Sequence, residues 1–351
     1  MKFKTSFVAT AAKTKSEKIL GVGTKQFLAT DFVFDNSLKL LKFLSEPKNF
    51  DECITYMRKT EIPLNTFKLL LDHKLITNFS DDFYKKDNMQ FKNDLYLESI
   101  TSNPYLVEEK IHETTLIIIG CGGIGNFMSY GFQSLNPKQM ILIDGDIIEA
   151  SNLNRQMMFT EEDIGRKKTS VLARELKRRN SGLNIKEISK FANEDILCQI
   201  IESIDNKKNV IGILSGDSSD VLFSTTKVFA KYKIPFLNIG YLNDISVIGP
   251  FYIPNVSCCP LCHNSFAIEN DSKKELFDET INWLNSRYEA PSSFTNNSLS
   301  SSLAMSDIIQ FLDRNIDNIK SINNRIGIDN VSFEMYTMAS SIDKNCKYCG
   351  A

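Results

Sequence analysis

Five polar side chains crowd six consecutive positions of this 351-residue chain: Ser151, Asn152, Asn154, Arg155 and Gln156, in the stretch SNLNRQ. Such a density of donors around one fixed cation suits a site where charge develops on a transferring phosphoryl group. Upstream, Gly120, Gly122, Gly123 and Gly125 in GCGGIG follow the apolar run LIII and precede a polar–apolar mix. That order predicts a buried strand, a tight turn and a helix, with backbone N–H groups able to meet phosphate oxygens at the helix N-terminus. The turn alone would serve a nicotinamide or flavin enzyme equally well. Asp144 stands 21 residues beyond Gly123, at the end of the next apolar run, MILID. An acid at that place hydrogen-bonds a ribose hydroxyl. Lys168, in IGRKKTS, opens a predicted helix and adds a second cation. Asp217 follows the fourth strand-like run, NVIGILSG, with Ser218 beside it. A lone carboxylate facing phosphates is a candidate magnesium ligand. A dehydrogenase has no evident use for an arginine flanked by amides beyond its ribose acid, so the loop favours a nucleoside triphosphate. Each residue alone has a plainer reading: Asp144 and Asp217 as turn caps, Arg155 in a surface ion pair, Lys168 solvated. Only together do they point to a site.

The eight cysteines divide by spacing. Cys259 with Cys262 and Cys346 with Cys349 form two C-x-x-C pairs, which suit one tetrahedral zinc ion held by four thiolates. Cys258 lacks the x-x spacing to Cys262, and His263 reads as a bystander. Cys53, Cys121 and Cys198 read as core residues, and none carries the marks of an activated thiol. Their scatter does not resemble a secreted disulfide framework, so a reducing cytoplasm is expected. The lysine-rich first 20 residues lack the apolar core of a signal peptide. No apolar run approaches the ~18 residues of a membrane span, so no membrane partner is expected. The formal net charge of −2 argues against bulk electrostatic binding of nucleic acid.

These residues must be positioned by two domains, 1–100 and 101–351. In the first, TKQFLATDFVF alternates like a strand. SLKLLKFLSE, FDECITYMRKT and PLNTFKLLLDHKL are spaced like helices, with Pro63 in the first turn of the third, and LITNF follows as a strand. Short helices followed by a strand predict a small winged-helix-like α+β module. Residues 1–100 carry 16 Lys+Arg against 13 Asp+Glu, and the third helix offers only Lys68 and Lys74, too few for base readout of DNA. Residues 81–94 read as an exposed loop. In the second domain TLIIIG, QMILID, KEISKFA, NVIGILSG and IPFLNIG read as strands, the first four each followed by a helix. That is a Rossmann-like α/β fold with a mostly parallel sheet. ISVIGPFYIP adds an antiparallel strand, residues 263–300 a long polar loop with one embedded helix, and LAMSDIIQFLDR a further helix.

GCGGIG, LIDGDIIEASNLNRQ, IGRKK and the GD after the fourth strand, with the two cysteine pairs, resemble the ThiF/MoeB/HesA adenylyltransferases, the superfamily that includes the ubiquitin-activating enzymes. SNLNRQ is the most distinctive piece. NPYLVEEK, LNIGYLNDISVIGPFYIP, NNRIGI and the N-terminal extension look like the branch that makes microcin-type peptide–nucleotide antibiotics. The resemblance implies that Gly123 and its neighbours contact phosphates and that Asp144 holds the ribose. It implies that Asn152, Arg155 and Lys168 bind the triphosphate and Asp217 binds magnesium. It implies a homodimer and a short ribosomal peptide substrate ending in asparagine, bound by the N-terminal module. ATP is the implied nucleotide, with CTP the alternative, and the implied product carries a nitrogen–phosphorus bond. The Tyr-x-Arg-Gln segment by which some relatives supply an arginine to the partner subunit is absent. Competing readings are activation of a ubiquitin-like sulfur carrier ending in Gly-Gly, a winged-helix DNA-binding regulator with a nucleotide sensor, and a nicotinamide oxidoreductase. A DNA shift assay and an NAD titration separate the last two.

Overall fold

The computed structural model describes residues 2–80, 87–216, 218–264 and 277–350. By contacts the chain divides into two units: Met1–Lys110 with Leu312–Asn315, and Ile111–Phe311 with Ile316–Ala351.

The strands of the first unit are β1 (Lys2–Thr5), β2 (Thr10–Lys13), β3 (Lys18–Gly21), β4 (Phe27–Leu28), β5 (Lys48–Asn49) and β6 (Ile76–Phe79). Its helices are α1 (Asp31–Phe43), α2 (Phe50–Lys59), α3 (Asn65–Asp72) and α4 (Phe91–Ile100). The strands form two small sheets, ordered β5-β1-β6 and β2-β3-β4. Phe34, Leu40 and Leu44 of and just after α1, Cys53 and Met57 of α2, and Phe67 and Leu70 of α3 bury their side chains around Phe3 and Ile76. The alternation in TKQFLATDFVF yields only the two-residue β4. Thr30 Oγ1 then accepts from Val33 N at 3.4 Å and starts α1, so the cap overrides the strand pattern. Asn49 and Glu52 form a reciprocal capping box at the start of α2. Pro63 lies outside α3, which begins at Asn65.

Residues 81–86 lie outside the described residues, but 91–94 are not an exposed loop: they open α4, with Asp94 buried. Burial pushes the Asp94 carboxyl up to about 7 from its ordinary 3.8. Glu108 is also held at about 7, by burial first and then by the charges of Asp94 and Glu109. A carboxyl raised on folding binds its proton more tightly in the native state. Its contribution is therefore full below the unfolded value and is lost as pH rises through the folded one. The melting temperature should fall between about pH 4 and about pH 7, and Asp94→Asn should flatten that fall in a thermal-melt series.

After α5 (Pro104–Glu113), the second unit alternates strands and helices: β7 (Thr115–Ile119), α6 (Gly123–Gln133), β8 (Gln139–Ile143), α7 (Lys168–Arg179), β9 (Ile185–Ile188), α8 (Glu194–Glu202), β10 (Val210–Leu214), α9 (Ser219–Lys231) and β11 (Phe236–Leu242). β12 (Ile245–Tyr252), α10 (Phe277–Ser286), α11 (Phe294–Leu312), β13 (Asn324–Asp329) and β14 (Met335–Ala339) complete it. The eight strands lie in the order β14-β13-β12-β11-β10-β7-β8-β9. Pairing from β11 through β9 is parallel, and β11 to β14 is antiparallel. The expected α/β class holds. β7 and β10 are buried at all five positions, as continuous apolar strands covered on both faces must be.

The polar stretch before residue 300 departs from expectation, because residues 294–300 are the start of the 19-residue α11. Its polar side chains bond to carbonyls of the helix itself and of β11. Ser300 Oγ donates to Asn296 O at 2.8 Å and Gly240 O at 2.7 Å. Ser301 Oγ donates to Asn297 O at 2.7 Å. A helix whose buried hydroxyls return to its own carbonyls can sit in a core despite its composition.

Candidate active site

The glycine turn joins β7 to α6 at the carboxyl edge of the parallel strands, where ligands bind in such sheets. Gly120 has φ +95° and Gly120 N donates to Ile143 O at 2.9 Å. A Cβ on Gly125 would stand 2.0 Å from Gly120 O, so this turn closes only without a side chain there. The first N–H groups of α6 then have no intrahelical partner and carry the positive end of its dipole.

Around this turn the structure gathers most of the residues singled out by sequence. Asp144, directly after β8, accepts from Cys121 N at 2.7 Å through Oδ2 and from Asp146 N at 2.8 Å through Oδ1. The carboxylate is thereby locked to the glycine turn. Lys168 begins α7, is 8% exposed, and places Nζ 2.9 Å from Asp146 Oδ2. Arg155 packs its stem against the turn, with Cγ 3.2 Å from where a Cβ on Gly123 would stand. Its Nη1 donates to Ser151 O at 2.9 Å and Asn154 Oδ1 at 2.8 Å, and among the described residues it makes no ion pair.

The neighbouring amides hold the loop. Asn152 Oδ1 accepts from Glu149 N at 3.1 Å, and Asn154 Nδ2 donates to Ser292 O at 3.0 Å. Gln156 is 2% exposed beside Gly122, and its Oε1 has no hydrogen-bond partner among the described residues. A buried acceptor without a donor beside an N–H-lined turn fits a site built for a ligand. Ser151 is exposed, 3.5 Å from Glu149 Oε2. Ser218 caps α9, its Oγ accepting from Val221 N at 3.3 Å. Asp217 lies outside the described residues.

Sequence reasoning passed over three residues at the turn. Ser215 Oγ donates to Gly120 O at 2.9 Å. Asn297, on α11, brings Oδ1 within 2.3 Å of where a Cβ on Gly123 would stand. Asn126 bonds both the turn and the arginine loop. A lone Asn in a helix or Ser in a loop carries no periodic or motif signal, so nothing in the sequence marked them.

The four paired cysteines also converge. Cys259 Sγ lies 3.8 Å from Cys262 Sγ and 3.7 Å from Cys346 Sγ, and Cys262 Sγ lies 3.4 Å from Cys349 Sγ. All four ligand atoms fall within 4.8 Å of one another. A tetrahedron with Zn–S of about 2.3 Å requires sulfurs about 3.8 Å apart, so the cluster is compatible with zinc. Hydrogen bonds from Cys259, and after burial's opposing effect from its other neighbours, hold the Cys349 thiol down at about 5. Cys258 is not in the group, and His263 turns Nε2 toward Ser341 Oγ at 3.2 Å. Elsewhere, burial pushes the thiols of Cys53 and Cys121 up, the reverse of what a nucleophile needs.

The glycine turn, Asp144 and Arg155 thus lie together at one edge of the sheet. The ThiF family model matches residues 96–350. The chain belongs to the ThiF family. Solved structures of MccB from E. coli resemble this ThiF-family chain over the full length of both. The complex with MccA-N7isoASN has a TM-score of 0.85 at 28% identity, and the complex with ATP 0.82 at 28%. The sulfur carrier protein ThiS adenylyltransferase of E. coli is 26% identical over 120 residues, 34% of this chain and 47% of its own length. The NEDD8-activating enzyme E1 catalytic subunit of Arabidopsis thaliana is 32% identical over 110 residues, 29% of this chain and 24% of its own. The chain thus spans less than half the length of these curated relatives. The family likeness read from GCGGIG and SNLNRQ is borne out. Among the described residues no helix is long and apolar enough to cross a membrane.

Proposed function

We propose that this ThiF-family chain is an ATP-dependent adenylyltransferase that activates the C-terminal carboxylate of a short ribosomal peptide. The observation that carries the reading is the end-to-end likeness to MccB. That enzyme is described in solved structures as the Microcin C7 biosynthetic enzyme and has been seen with ATP, with N-formylated MccA and with a succinimide. The likeness includes the N-terminal module, residues 1–100 in the sequence reading, which we assign to gripping the peptide.

The chemistry follows from the residues. A peptide carboxylate is already ionised at neutral pH and needs no base. Its oxygen attacks the α-phosphorus, the bond to the β-phosphate oxygen breaks, and pyrophosphate leaves. The N-terminus of α6 receives phosphate oxygens, Asp144 the ribose, and Arg155 and Lys168 the negative charge that builds during transfer. Asn152, Asn154, Ser151 and Gln156 hold the loop and supply polar contacts. Magnesium held by Asp217 would neutralise the phosphates. With a terminal asparagine, the side-chain nitrogen closes on the activated carbonyl, loses a proton and expels AMP, leaving a cyclic imide. The deprotonated imide nitrogen then attacks the α-phosphorus of a second nucleotide, the bond to its β-phosphate oxygen breaks, and pyrophosphate leaves as the nitrogen–phosphorus bond forms. The working form is a homodimer, with zinc in the four-cysteine cluster as a structural ion.

The test is a reaction with a synthetic peptide ending in asparagine and either ATP or CTP. Pyrophosphate release and a mass-detected nucleotide adduct resistant to hydroxylamine are expected. An activated acyl group that hydroxylamine captures, formed only on a protein ending in Gly-Gly, would give the sulfur-carrier reading instead.

A further inference from the structure

Asn126 lies in the first turn of α6 with no exposed surface. Its Nδ2 donates to Cys121 O at 2.9 Å and Gly122 O at 3.0 Å. Its Oδ1 accepts from Met158 N at 3.0 Å. Two carbonyls on one side and an N–H on the other fix which end of the carboxamide is which. One side chain therefore ties the glycine turn to the segment that carries Arg155, three residues before Met158.

Both ends of that tie matter to the site. Holding the carbonyls of Cys121 and Gly122 inward leaves the turn to present N–H groups outward. Holding Met158 N fixes the arginine loop at a further point, beside the Arg155 stem against Gly123 and the Asn154 bond to Ser292 O. Met158 is itself buried, so its amide, deprived of Asn126, has no water to turn to and the loop must shift to satisfy it.

We propose that Asn126 is a positioning residue that sets the placement of the Arg155 guanidinium over the N-terminus of α6. The inference rests on the adenylyltransferase reading. Asn126 touches no reacting atom; it acts through Arg155.

A double-mutant cycle on the full chain tests this, reading peptide-dependent pyrophosphate release at saturating ATP beside the dissociation constant for ATP. Asn126→Ala should lower the saturating rate by about 10–100-fold, the scale of a small misplacement of a reacting group, with ATP affinity changed less than about 3-fold. In an Arg155→Ala background the same change should have little further effect, because both substitutions disable one device. Asn126→Asp keeps an acceptor for Met158 N but sets an oxygen against two carbonyls. It should show the same non-additive pattern, and it replaces the alanine variant in the cycle if that one does not fold. Losses that multiply in the double variant would overturn the inference, as would a rate that falls only with the fraction of folded protein. A wild-type chain that binds ATP but releases no pyrophosphate with any peptide would overturn the adenylation reading and this inference with it.

Discussion

Arg155→Ala lowers peptide-dependent pyrophosphate release on the order of 10²–10³-fold, the usual cost of removing one transition-state donor from a preorganised site. The melting temperature should barely move. Among the described residues the guanidinium is tethered only to Ser151 O and Asn154 Oδ1 and neutralises no carboxylate. Truncation therefore strands no buried charge, and the structural cost is the packing of its stem on Gly123. Arg155→Lys restores charge but not the planar fork, and should recover only part of the rate. Steady-state assays at saturating nucleotide, with a thermal melt of each variant, give both readouts. Unchanged turnover in the alanine variant would remove Arg155 from the mechanism.

The second large effect concerns the four cysteines. Metal analysis should find about one zinc per chain, and Cys346→Ser or a strong chelator should unfold the part of the second unit that the cluster joins. A structural four-thiolate zinc contributes on the order of 10 kcal/mol to its folded form, strongly dependent on pH. Losing even a few of those should lower the melting temperature by about 10 °C or more for a unit of this size. Cys258→Ser is the control: it adjoins a ligand but stands outside the cluster. A stable, active and zinc-free preparation would sink the assignment.

The parallel core was legible because its strands are apolar on both faces and each is followed by a helix. The cysteine pairs were legible because two C-x-x-C spacings suit one four-thiolate site, and GCGGIG because SNLNRQ downstream decided between the ligands such a turn can hold. The start of α11 was not. Asn296, Asn297, Ser300 and Ser301 are loop-formers by composition, and only their bonds to neighbouring carbonyls make a buried helix of them. β14 escaped notice because all five of its residues are exposed, leaving no alternation to read. In the first unit the very short β4 gave way to α1 once Thr30 capped it. Asn126 and Asn297 were invisible for a related reason: Asn126 matters to the site by reaching Met158 N and Asn297 by approaching Gly123, both far along the chain, and a sequence pattern records only near neighbours.

The two cysteine pairs close a long excursion of chain. The segment between Cys262 and Cys346 includes α10, α11, β13 and β14, and with zinc in place it is stapled at both ends. Limited proteolysis near the exposed residues 287–291 would then cut a covalent bond without parting the pieces. The C-terminal fragment, anchored by Cys346 and Cys349, would co-purify with the rest, and a chelator would weaken one of its anchors. A nicked preparation would run as one species on a sizing column and as two on a denaturing gel.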